Sequence, residues 1–365
     1  MKVAFVHDYL IQDGGAERTV LAMHELYPDA PIYTLFYDAV RSHPAFRTID
    51  VRASSLNTLP FAQRHYEWYL PFMSHAIEMI DLSGYDLVIS SSSSFAKGVF
   101  AAPHAVHICY CHTPTRFLWQ ERFGYVNELP RPRIIKKLLP PFLHHLRQWD
   151  RMASDRPDRM LTNSKTSQER IQRYYRRSSQ VTHPPVDTHL FTGTHHTGLY
   201  WLAAGRLVAY KKLDRLIQAF IELNLPLKIF GTGPEEKKLR AMAGPKIEIL
   251  GCVDEETKVQ LYEHAIGFVH PQHEDFGITA VEAMSAGKPV LAYGKGGATE
   301  TVIPGVTGEF FFSQEVADIK ASVQAFDVTK YSPDLIQAHA RQFSKERFQR
   351  ELRSIIDDAL QPRLV

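Results

Sequence analysis

The sequence predicts an α/β protein with two doubly wound domains, each built on a parallel sheet that helices cover on both faces. In both halves of the chain, short apolar runs alternate with helical stretches, which is typical of parallel strands joined by crossover helices. The chain has 365 residues, more than one hydrophobic core usually supports. Pro184 and Pro185, followed by the polar stretch 192–198, cannot continue a helix or a central strand. They predict a linker between the domains, where we expect a hinge.

Composition excludes several other classes of protein. Hydrophobic residues make up 44% of the chain and charged residues 22%, which are the proportions of a soluble globular protein. A net charge of +2 is too small to indicate a nucleic-acid-binding protein. No apolar run approaches the roughly eighteen residues of a membrane helix, and the run at 3–6 is too short for a signal peptide. Three cysteines cannot form a disulfide framework, so we expect a reducing, cytoplasmic compartment.

The first domain begins with a predicted strand at 2–6, a polar loop at 7–13 and a glycine turn, Gly14 and Gly15, that opens a helix. The serine run at 90–94 lies at the carboxyl end of a strand, where open α/β sheets place ligands. A solvated loop that caps the next helix is the simpler interpretation of that run. Other strands of this domain are predicted at 31–36, near 51, at 86–90 and at 106–110.

The strand at 106–110 leads into His112. Cys109, Cys111 and His112 form a string that could suggest a metal site, but side chains at positions i and i+2 only share one face of a strand. A zinc site would need a fourth ligand at suitable spacing, and none is evident in the sequence. We therefore expect no metal, and His112 either has a structural role or contacts a ligand at the end of the strand.

The second domain repeats the alternation of strands and helices. Arg206 and Lys211 follow its first predicted strand, and Gly231 follows the second. Arg206 and Lys211 are suited to binding phosphate, because a guanidinium can grip phosphate through two hydrogen bonds and an ammonium supplies a point charge. The strands are predicted at 200–204, 227–230, 247–251, 266–269, 290–293 and 308–312, and helical periodicity runs from 341 to 360.

The most informative stretch of the sequence runs from residue 271 to residue 290. It predicts a loop at 272–277 and a short helix that begins near Ile278 and ends at Gly287. The first turn of a helix has unpaired amide N–H groups that favour an anion. Glu274 in the loop and Glu282 in the helix, with seven residues between them, supply acceptors for sugar hydroxyls. The combination predicts a pocket for a phosphorylated sugar.

This stretch resembles the signature of glycosyltransferase family 4, whose members are retaining enzymes that use nucleotide sugars. The resemblance rests on Glu, seven residues and Glu, with Phe-Gly-Ile after the first Glu and Ala-Gly-Lys-Pro-Val after the second. It implies the GT-B fold, in which two Rossmann-like domains face a central cleft. We accordingly place an acceptor-side domain at 1–187, a nucleotide-sugar domain at 188–340, and at 341–365 a C-terminal helix that packs back on the first domain.

The resemblance also implies roles for individual residues. Glu274 would bind hydroxyls of the donor sugar, Glu282 would bind the ribose, and His112 would cover the sugar. Family members carry a glycine after the lysine that binds phosphate, but Lys212 stands there in this chain, so either Lys211 or Lys212 could reach the phosphate. The remaining expected donor-binding residues are Gly14, Gly15, Gly231, Val253, Phe276, Gly277 and Ile278, together with Arg206.

The segments 81–90, 112–119 and 206–212 look most like bacterial mannosyltransferases of O-antigen and exopolysaccharide assembly. That likeness implies GDP-mannose as the donor and a polyprenyl-diphosphate-linked saccharide as the acceptor. The chain has no Asp-x-Asp pair to hold a metal, so Arg206, Lys211 and the helix N-terminus would meet the charge of the leaving diphosphate. A non-catalytic nucleotide-sugar-binding protein and a sugar epimerase of the same fold remain alternatives.

Two segments of the first domain indicate a further surface. The segment 66–73 is dense in aromatic residues, and in the segment 131–142 cations alternate with bulky apolar residues. A basic amphipathic segment suits the anionic inner face of a plasma membrane, whereas an ordinary core helix with a solvated face explains it equally well. Under the first interpretation the protein is cytoplasmic and peripheral to that membrane.

Overall fold

The structure, a computed structural model, describes residues 1–120, 133–191 and 198–361, with only the backbone at 133–138. For the basic segment predicted at 131–142, the structure therefore describes the backbone from 133 and the side chains from 139, and of the polar linker at 192–198 it describes only Gly198. Within the described ranges, none of the helices combines the length and the hydropathy that crossing a bilayer requires.

The chain divides into two units, Met1–His183 with Phe348–Val365, and Pro184–Arg347. The sequence placed these boundaries at 187 and 341 instead. The boundaries differ because the Val186 N–H donates to the Phe343 carbonyl at 3.0 Å, and the Val186 carbonyl accepts from the Lys345 N–H at 3.1 Å. These hydrogen bonds join both stretches to the second unit.

The first unit contains a parallel seven-stranded sheet in the order β3-β2-β1-β4-β5-β6-β7. Its strands are β1 Val3–Leu10, β2 Ile32–Tyr37, β3 Val51–Ala53, β4 Leu87–Ser92, β5 Val106–Cys111, β6 Arg159–Thr162 and β7 Gln180–Val181. Its helices are α1 Gly15–His24, α2 Leu70–Glu78, α3 Arg116–Trp119, α4 Arg133–Ala153 and α5 Lys165–Tyr175, and the last helix of the chain, α13 Lys345–Leu360, packs on the same sheet.

Strand β1 is longer than the sequence predicts. The polar residues His7 and Asp8 were expected in a loop, but the strand continues through them to Leu10. Both side chains are buried, and both have hydrogen-bond partners. The Asp8 carboxylate accepts four backbone N–H groups from residues 93–96 at 2.5 to 2.8 Å. Because both of these buried polar side chains are compensated in this way, the strand can carry them into the core.

Apolar side chains cover both faces of the first sheet, as a doubly wound fold requires. On one face, Ala4 and Val88 pack in a cluster with α2 and α4. On the other face, Phe5 and Ile89 pack with α1 and α13. The C-terminal helix contributes three fully buried side chains to that second cluster, Phe348, Leu352 and Ile356.

The second unit contains a parallel six-stranded sheet in the order β10-β9-β8-β11-β12-β13. The predicted bounds of four strands, 200–204, 227–230, 247–251 and 290–293, are confirmed. The strands are β8 Tyr200–Ala204, β9 Leu227–Phe230, β10 Ile247–Gly251, β11 Ala265–His270, β12 Val290–Tyr293 and β13 Gly308–Phe311. The helices are α6 Leu213–Leu223, α7 Glu236–Met242, α8 Glu255–Glu263, α9 Ile278–Ser285, α10 Ala298–Thr301, α11 Val316–Ala325 and α12 Pro333–Ala340.

The order of strands reverses between β8 and β11, and this reversal positions the site. In open parallel sheets, the loops that leave the carboxyl ends of two such strands diverge and open a crevice. The loop at 205–212 follows β8 and the loop at 271–277 follows β11. The sheet topology therefore brings the two most informative segments of the sequence to the same edge.

Candidate functional site

Lys211 and Glu274 form an ion pair at this edge, with 2.5 Å between Nζ and Oε1. Their side chains are only 8% and 18% exposed. Gly205, at φ +134°, makes room for the lysine, because a Cβ atom there would lie 2.5 Å from Nζ. The structure thus brings together two residues that the sequence singled out in separate motifs. Arg206, on the same loop, is exposed and has no ion-pair partner among the residues that the structure describes.

Lys211 and Lys212 have different environments. Lys211 is buried in the site, whereas the Lys212 side chain is exposed. The Lys212 backbone is left-handed, at φ +56° and ψ +29°, immediately before α6. This is the conformation that glycine adopts without strain, and it is the position where the family usually carries glycine. Lys212 therefore preserves the turn that directs Lys211 into the site.

Helix α9 begins beside the ion pair. Its N-cap residue is Gly277, at φ +92°, and no side chain caps the first turn. The predicted left-handed turn at Gly287, φ +72°, is confirmed, although the helix itself ends at Ser285. The amide groups of the first turn follow directly after the loop that carries Glu274. An uncapped helix N-terminus of this kind attracts anions.

His270 lies beneath this N-terminus, and the sequence interpretation missed it. Its ring is fully buried, and neither ring nitrogen has a hydrogen-bond partner among the described residues. Nε2 is 3.8 Å from Glu274 Oε2, and a Cβ atom on Gly277 would be 3.1 Å from it. Burial lowers the pKa of His270 to about 4. The available signal was a polar residue at the end of the apolar strand just before the motif.

Two more buried polar atoms beside α9 also have no hydrogen-bond partner within the described ranges, Gln272 Oε1 and Thr279 Oγ1. Unpaired buried polar atoms are rare in proteins, and each one calls for an explanation. Gln272 lies in the loop that carries Glu274, and Thr279 lies in the first turn of α9. A polar ligand that supplies hydrogen bonds at this place would account for all of them.

Glu282 projects from α9 into a different set of contacts. Its Oε1 accepts from Lys258 Nζ at 3.1 Å, and its Oε2 accepts from the Tyr262 hydroxyl at 2.9 Å. Lys258 also pairs with Glu255 at 2.6 Å. A carboxylate has about four acceptor positions, so Glu282 is held in place and can still accept hydroxyls from a ligand. Sequence reasoning missed Lys258 and Tyr262 because both lie on α8.

The other residues of the second unit that the sequence predicts to bind the donor are glycines or wholly or partly buried apolar residues. Gly231, at φ +127°, lies so close to the Gly205 carbonyl that any side chain would overlap it. Phe276 is buried and packs on the Phe343 ring with centroids 5.6 Å apart. Val253 is half-buried beside the core cluster that contains Phe276 and Phe343, and Ile278 is half-buried in the first turn of α9.

In the first unit, His112 follows β5 and is buried in a network of polar side chains. Its Nε2 is 2.9 Å from Ser91 Oγ, and that oxygen is 3.1 Å from His7 Nδ1. Burial, and to a smaller extent the neighbouring His7, lower the pKa of His112 to about 3. Sequence reasoning missed His7 and Ser91.

The expectation of a solvated serine loop is wrong. Ser90, Ser91 and Ser92 are buried in β4, and the next backbone N–H groups bind Asp8. Gly14 and Gly15 begin α1, as predicted. A Cβ atom on Gly14 would lie 2.8 Å from Glu17 Oε2.

The cysteines before His112 are core residues. Cys109 and Cys111 pack with Met160 and Ile171, and burial raises the pKa of the Cys109 thiol to about 11. In the described part of the chain, no three His, Cys, Asp or Glu side chains are grouped so that they could hold a metal ion.

Two protein-family models match consecutive parts of this chain. The first, Glycosyltransferase Family 4, matches residues 13–190, and the second, Glycosyl transferases group 1, matches residues 191–328. Together they account for most of both units. The crystal structure of HepE from Anabaena in complex with UDP-glucose is similar at a TM-score of 0.73 and 18% identity, over 98% of this chain and 100% of that chain. At this identity the likeness shows the fold, which is GT-B with two Rossmann-like domains.

Two curated relatives are similar in sequence. The D-rhamnosyltransferase WbpZ of Pseudomonas aeruginosa is 29% identical over 50% of this chain and 52% of its own length. A GDP-mannose-dependent α-mannosyltransferase of Mycolicibacterium smegmatis is 35% identical over 28% of each chain. The chain thus spans about half the length of the first relative and less of the second.

Replacing Lys212 with glycine should stabilise the second unit. Lysine pays about 1 kcal/mol for its left-handed backbone and glycine does not, so we expect Lys212→Gly to raise the free energy of unfolding by about 1 kcal/mol. Lys237→Gly, an exposed lysine in α7, is the matched control and should lower it by about the same amount. Urea unfolding of both variants measures the difference, and a Lys212→Gly variant no more stable than the wild type would contradict the argument.

His270 should make the folded state sensitive to acid. Its pKa in the folded state, about 4, is below the 6.5 of an unfolded chain, so the unfolded state binds the extra proton first as pH falls. The stabilising effect of the neutral ring is therefore complete above pH 6.5 and is lost as pH falls towards 4. We expect the loss of unfolding free energy over this range to be smaller in His270→Gln than in the wild type. If both proteins lost the same unfolding free energy over this pH range, His270 would not be a cause of the acid sensitivity.

Proposed function

The chain belongs to glycosyltransferase family 4, and on that premise we propose that it is a retaining glycosyltransferase that transfers a sugar from a nucleotide sugar to a saccharide acceptor. The observation that carries the proposal is the Lys211–Glu274 ion pair at the uncapped N-terminus of α9. It places a cation, a carboxylate and free amide groups within one small volume. A nucleotide sugar presents the complementary groups, a diphosphate next to sugar hydroxyls.

In this proposal, Arg206 and Lys211 bind the donor diphosphate. Both residues lie on the loop that follows β8, where Arg206 is exposed and Lys211 is buried. Negative charge grows on the diphosphate as it leaves, and fixed cations and amide dipoles stabilise that charge without reorganising. Each such contact contributes about 3 kcal/mol to the transition state, by analogy with single donors of an oxyanion hole.

Glu274 then binds the donor sugar. When the diphosphate binds Lys211, the ammonium group contacts both the diphosphate and Glu274. The Glu274 carboxylate still has acceptor positions for sugar hydroxyls. Glu282 binds the ribose hydroxyls in the same way, because Lys258 and Tyr262 fix its orientation. His112 is neutral at neutral pH, since burial lowers its pKa, and it can donate a hydrogen bond to the sugar without adding charge.

The proposed chemistry is a transfer with retention of configuration. The acceptor hydroxyl attacks the anomeric carbon on the face from which the diphosphate departs. The bond to the diphosphate oxygen breaks as the bond to the acceptor oxygen forms, and the hydroxyl proton passes to the departing phosphate. Glu274 is tied to Lys211 in an ion pair, which makes it a poor base or nucleophile. The leaving group therefore serves as the base.

We propose mannose, from GDP-mannose, as the transferred sugar, and a polyprenyl-diphosphate-linked saccharide as the acceptor in cell-surface polysaccharide assembly. The motif likeness to bacterial mannosyltransferases supports this choice, as does the GDP-mannose-dependent relative. A lipid-linked acceptor would place the enzyme at the cytoplasmic face of the membrane, as a peripheral protein.

Removing the proposed donor contacts should abolish transfer and leave the protein folded. We expect Arg206→Ala to lower kcat/KM with GDP-mannose about 100- to 1000-fold, and Glu274→Ala and Glu274→Gln to lose transfer. Arg341→Ala, which removes an exposed arginine elsewhere in the second unit, should keep full activity. Assays with labelled GDP-mannose, UDP-glucose and UDP-N-acetylglucosamine, with and without a lipid-linked acceptor, measure transfer, and circular dichroism measures folding.

The outcomes of these assays separate the alternatives. Free nucleotide and sugar released without an acceptor would indicate an epimerase. Donor binding without turnover of any donor would indicate a binding protein. Undiminished transfer by Arg206→Ala or Glu274→Ala would remove that residue from the site.

Transfer should not require a divalent metal. Protein cations and helix amides meet the diphosphate charge in this proposal, so we expect unchanged rates in excess EDTA. Rates are measured before and after EDTA, and then after magnesium is added back. A loss of activity that magnesium restores would contradict the metal-free arrangement.

A further inference from the structure

His270 is a polar residue at the end of the apolar strand β11, and no step of the proposed transfer uses it. Its side chain is 0% exposed. Neither Nδ1 nor Nε2 has a hydrogen-bond partner among the residues that the structure describes. A buried polar group without a partner costs free energy that an apolar side chain of similar size would not. An unpaired histidine in the core therefore points to a partner that it gains in another state of the site.

The Glu274 carboxylate is an acceptor within reach of this ring. Oε2 of Glu274 lies 3.8 Å from His270 Nε2, which is about 0.9 Å longer than an ordinary N–H···O hydrogen bond. The other oxygen, Oε1, pairs with Lys211 at 2.5 Å. The carboxylate can therefore be bound by an ammonium at one oxygen and by an imidazole N–H at the other.

Only the side chain of Glu274 needs to move for this hydrogen bond to form. Its backbone is held, because the Glu274 carbonyl accepts from the Gly297 N–H at 2.9 Å. The His270 ring is fully buried beneath Gly277. A Cβ atom on Gly277 would lie 3.1 Å from His270 Nε2 and 3.9 Å from Glu274 Oε2. Glycine at position 277 thus leaves the path between the two groups open.

Binding of the donor supplies the reason for the movement. In the proposed complex, the Lys211 ammonium contacts the diphosphate as well as Glu274, so it compensates the carboxylate less than before. A carboxylate with 18% exposure that loses part of its compensation gains from another N–H donor. His270 can supply that donor without breaking any hydrogen bond of its own in the described part of the chain.

We propose that His270 is a positioning residue, which donates its Nε2–H to Glu274 Oε2 when the donor diphosphate shares Lys211. Both carboxylate oxygens are then fixed, and their remaining acceptor positions are directed at the hydroxyls of the sugar. The inference rests on the proposed function, because it requires that a nucleotide sugar binds at this site. It identifies the residue that sets the orientation of Glu274 during transfer.

Substitutions of His270 separate this role from simple packing. We expect His270→Leu to raise the melting temperature, because it removes an unpaired buried group, and to lower kcat with GDP-mannose about tenfold, with KM changed less than about twofold. His270→Gln places an amide N–H close to the position of Nε2 and should keep most of the activity. His270→Asn places the amide close to Nδ1 and should be as slow as His270→Leu.

His24 provides the matched control. It is a buried histidine at the end of α1, and its Nε2 lies 2.8 Å from the Ala30 carbonyl, so it is paired where His270 is not. We expect His24→Leu to lower the melting temperature and to leave kcat unchanged. Thermal unfolding and initial rates are measured on the full chain for every variant.

A second experiment tests the contact between His270 and Glu274 without any donor. Burial lowers the pKa of His270 to about 4, whereas Glu274 raises this pKa and Lys211 lowers it. In Lys211→Met the carboxylate has lost its ammonium partner, so Oε2 should turn to His270. We expect the pKa of His270 to rise to about 6, because a close opposite charge strengthens proton binding roughly 10- to 1000-fold. NMR titration of the histidine rings, assigned with His270→Gln, measures this pKa, and adding Glu274→Gln to Lys211→Met should lower it again.

The results decide the proposal separately from the enzyme activity. An unchanged pKa of His270 in Lys211→Met would overturn it, and so would a wild-type kcat in His270→Leu or equal kcat values in His270→Gln and His270→Asn. The three His270 variants decide the proposal even if Lys211→Met does not fold. A raised pKa in Lys211→Met, together with no turnover of any nucleotide sugar by the wild type, would count against the proposed function and not against the contact between His270 and Glu274.

Discussion

The ion pair between Lys211 and Glu274 depends on which strands are neighbours in the second sheet. The two residues are distant in sequence, but β8 and β11 pair in parallel, with Leu202 opposite Phe268, so their loops leave the same edge. Ion pairs with little exposure are stable only when their geometry compensates for lost hydration. Here the ammonium and carboxylate meet at 2.5 Å, beside a helix N-terminus that adds a favourable field for anions. The topology of the sheet therefore sets the position of the site.

The site at this edge of the sheet also requires that the backbones of its loops lie very close together. Three glycines with positive φ lie where a side chain would not fit. Gly205 lies against Lys211, Gly231 lies against the Gly205 carbonyl, and Gly277 lies against His270. Lys212 adopts a left-handed conformation without being glycine, and it does so where the turn must direct its neighbour inwards. Strain is kept at such positions because the surrounding structure enforces it.

The first unit differs from the second in that charged side chains lie buried inside its core and must be compensated there. Asp8 is satisfied by four backbone N–H groups that follow β4. Asp150 on α4 is likewise bound by four side chains, and its ion pair with Lys97, at 2.6 Å, is almost fully buried. Those four partners are Lys97, Thr115, Trp119 and Tyr175. Because three of them flank or support the segment after His112, the network fixes the stretch that carries this residue.

The sequence by itself determined the alternation of strands and helices, four strand bounds of the second sheet, and the loop and helix that carry Glu274 and Glu282. Local patterns specify these features, because apolar runs and helix termini depend on near neighbours. Only the tertiary structure decided that Lys211 rather than Lys212 enters the site, that Asp8 belongs to a strand, and that His270 lies under the helix. The partners of these residues come from distant parts of the chain, and a polar side chain is buried only when the fold brings such partners to it.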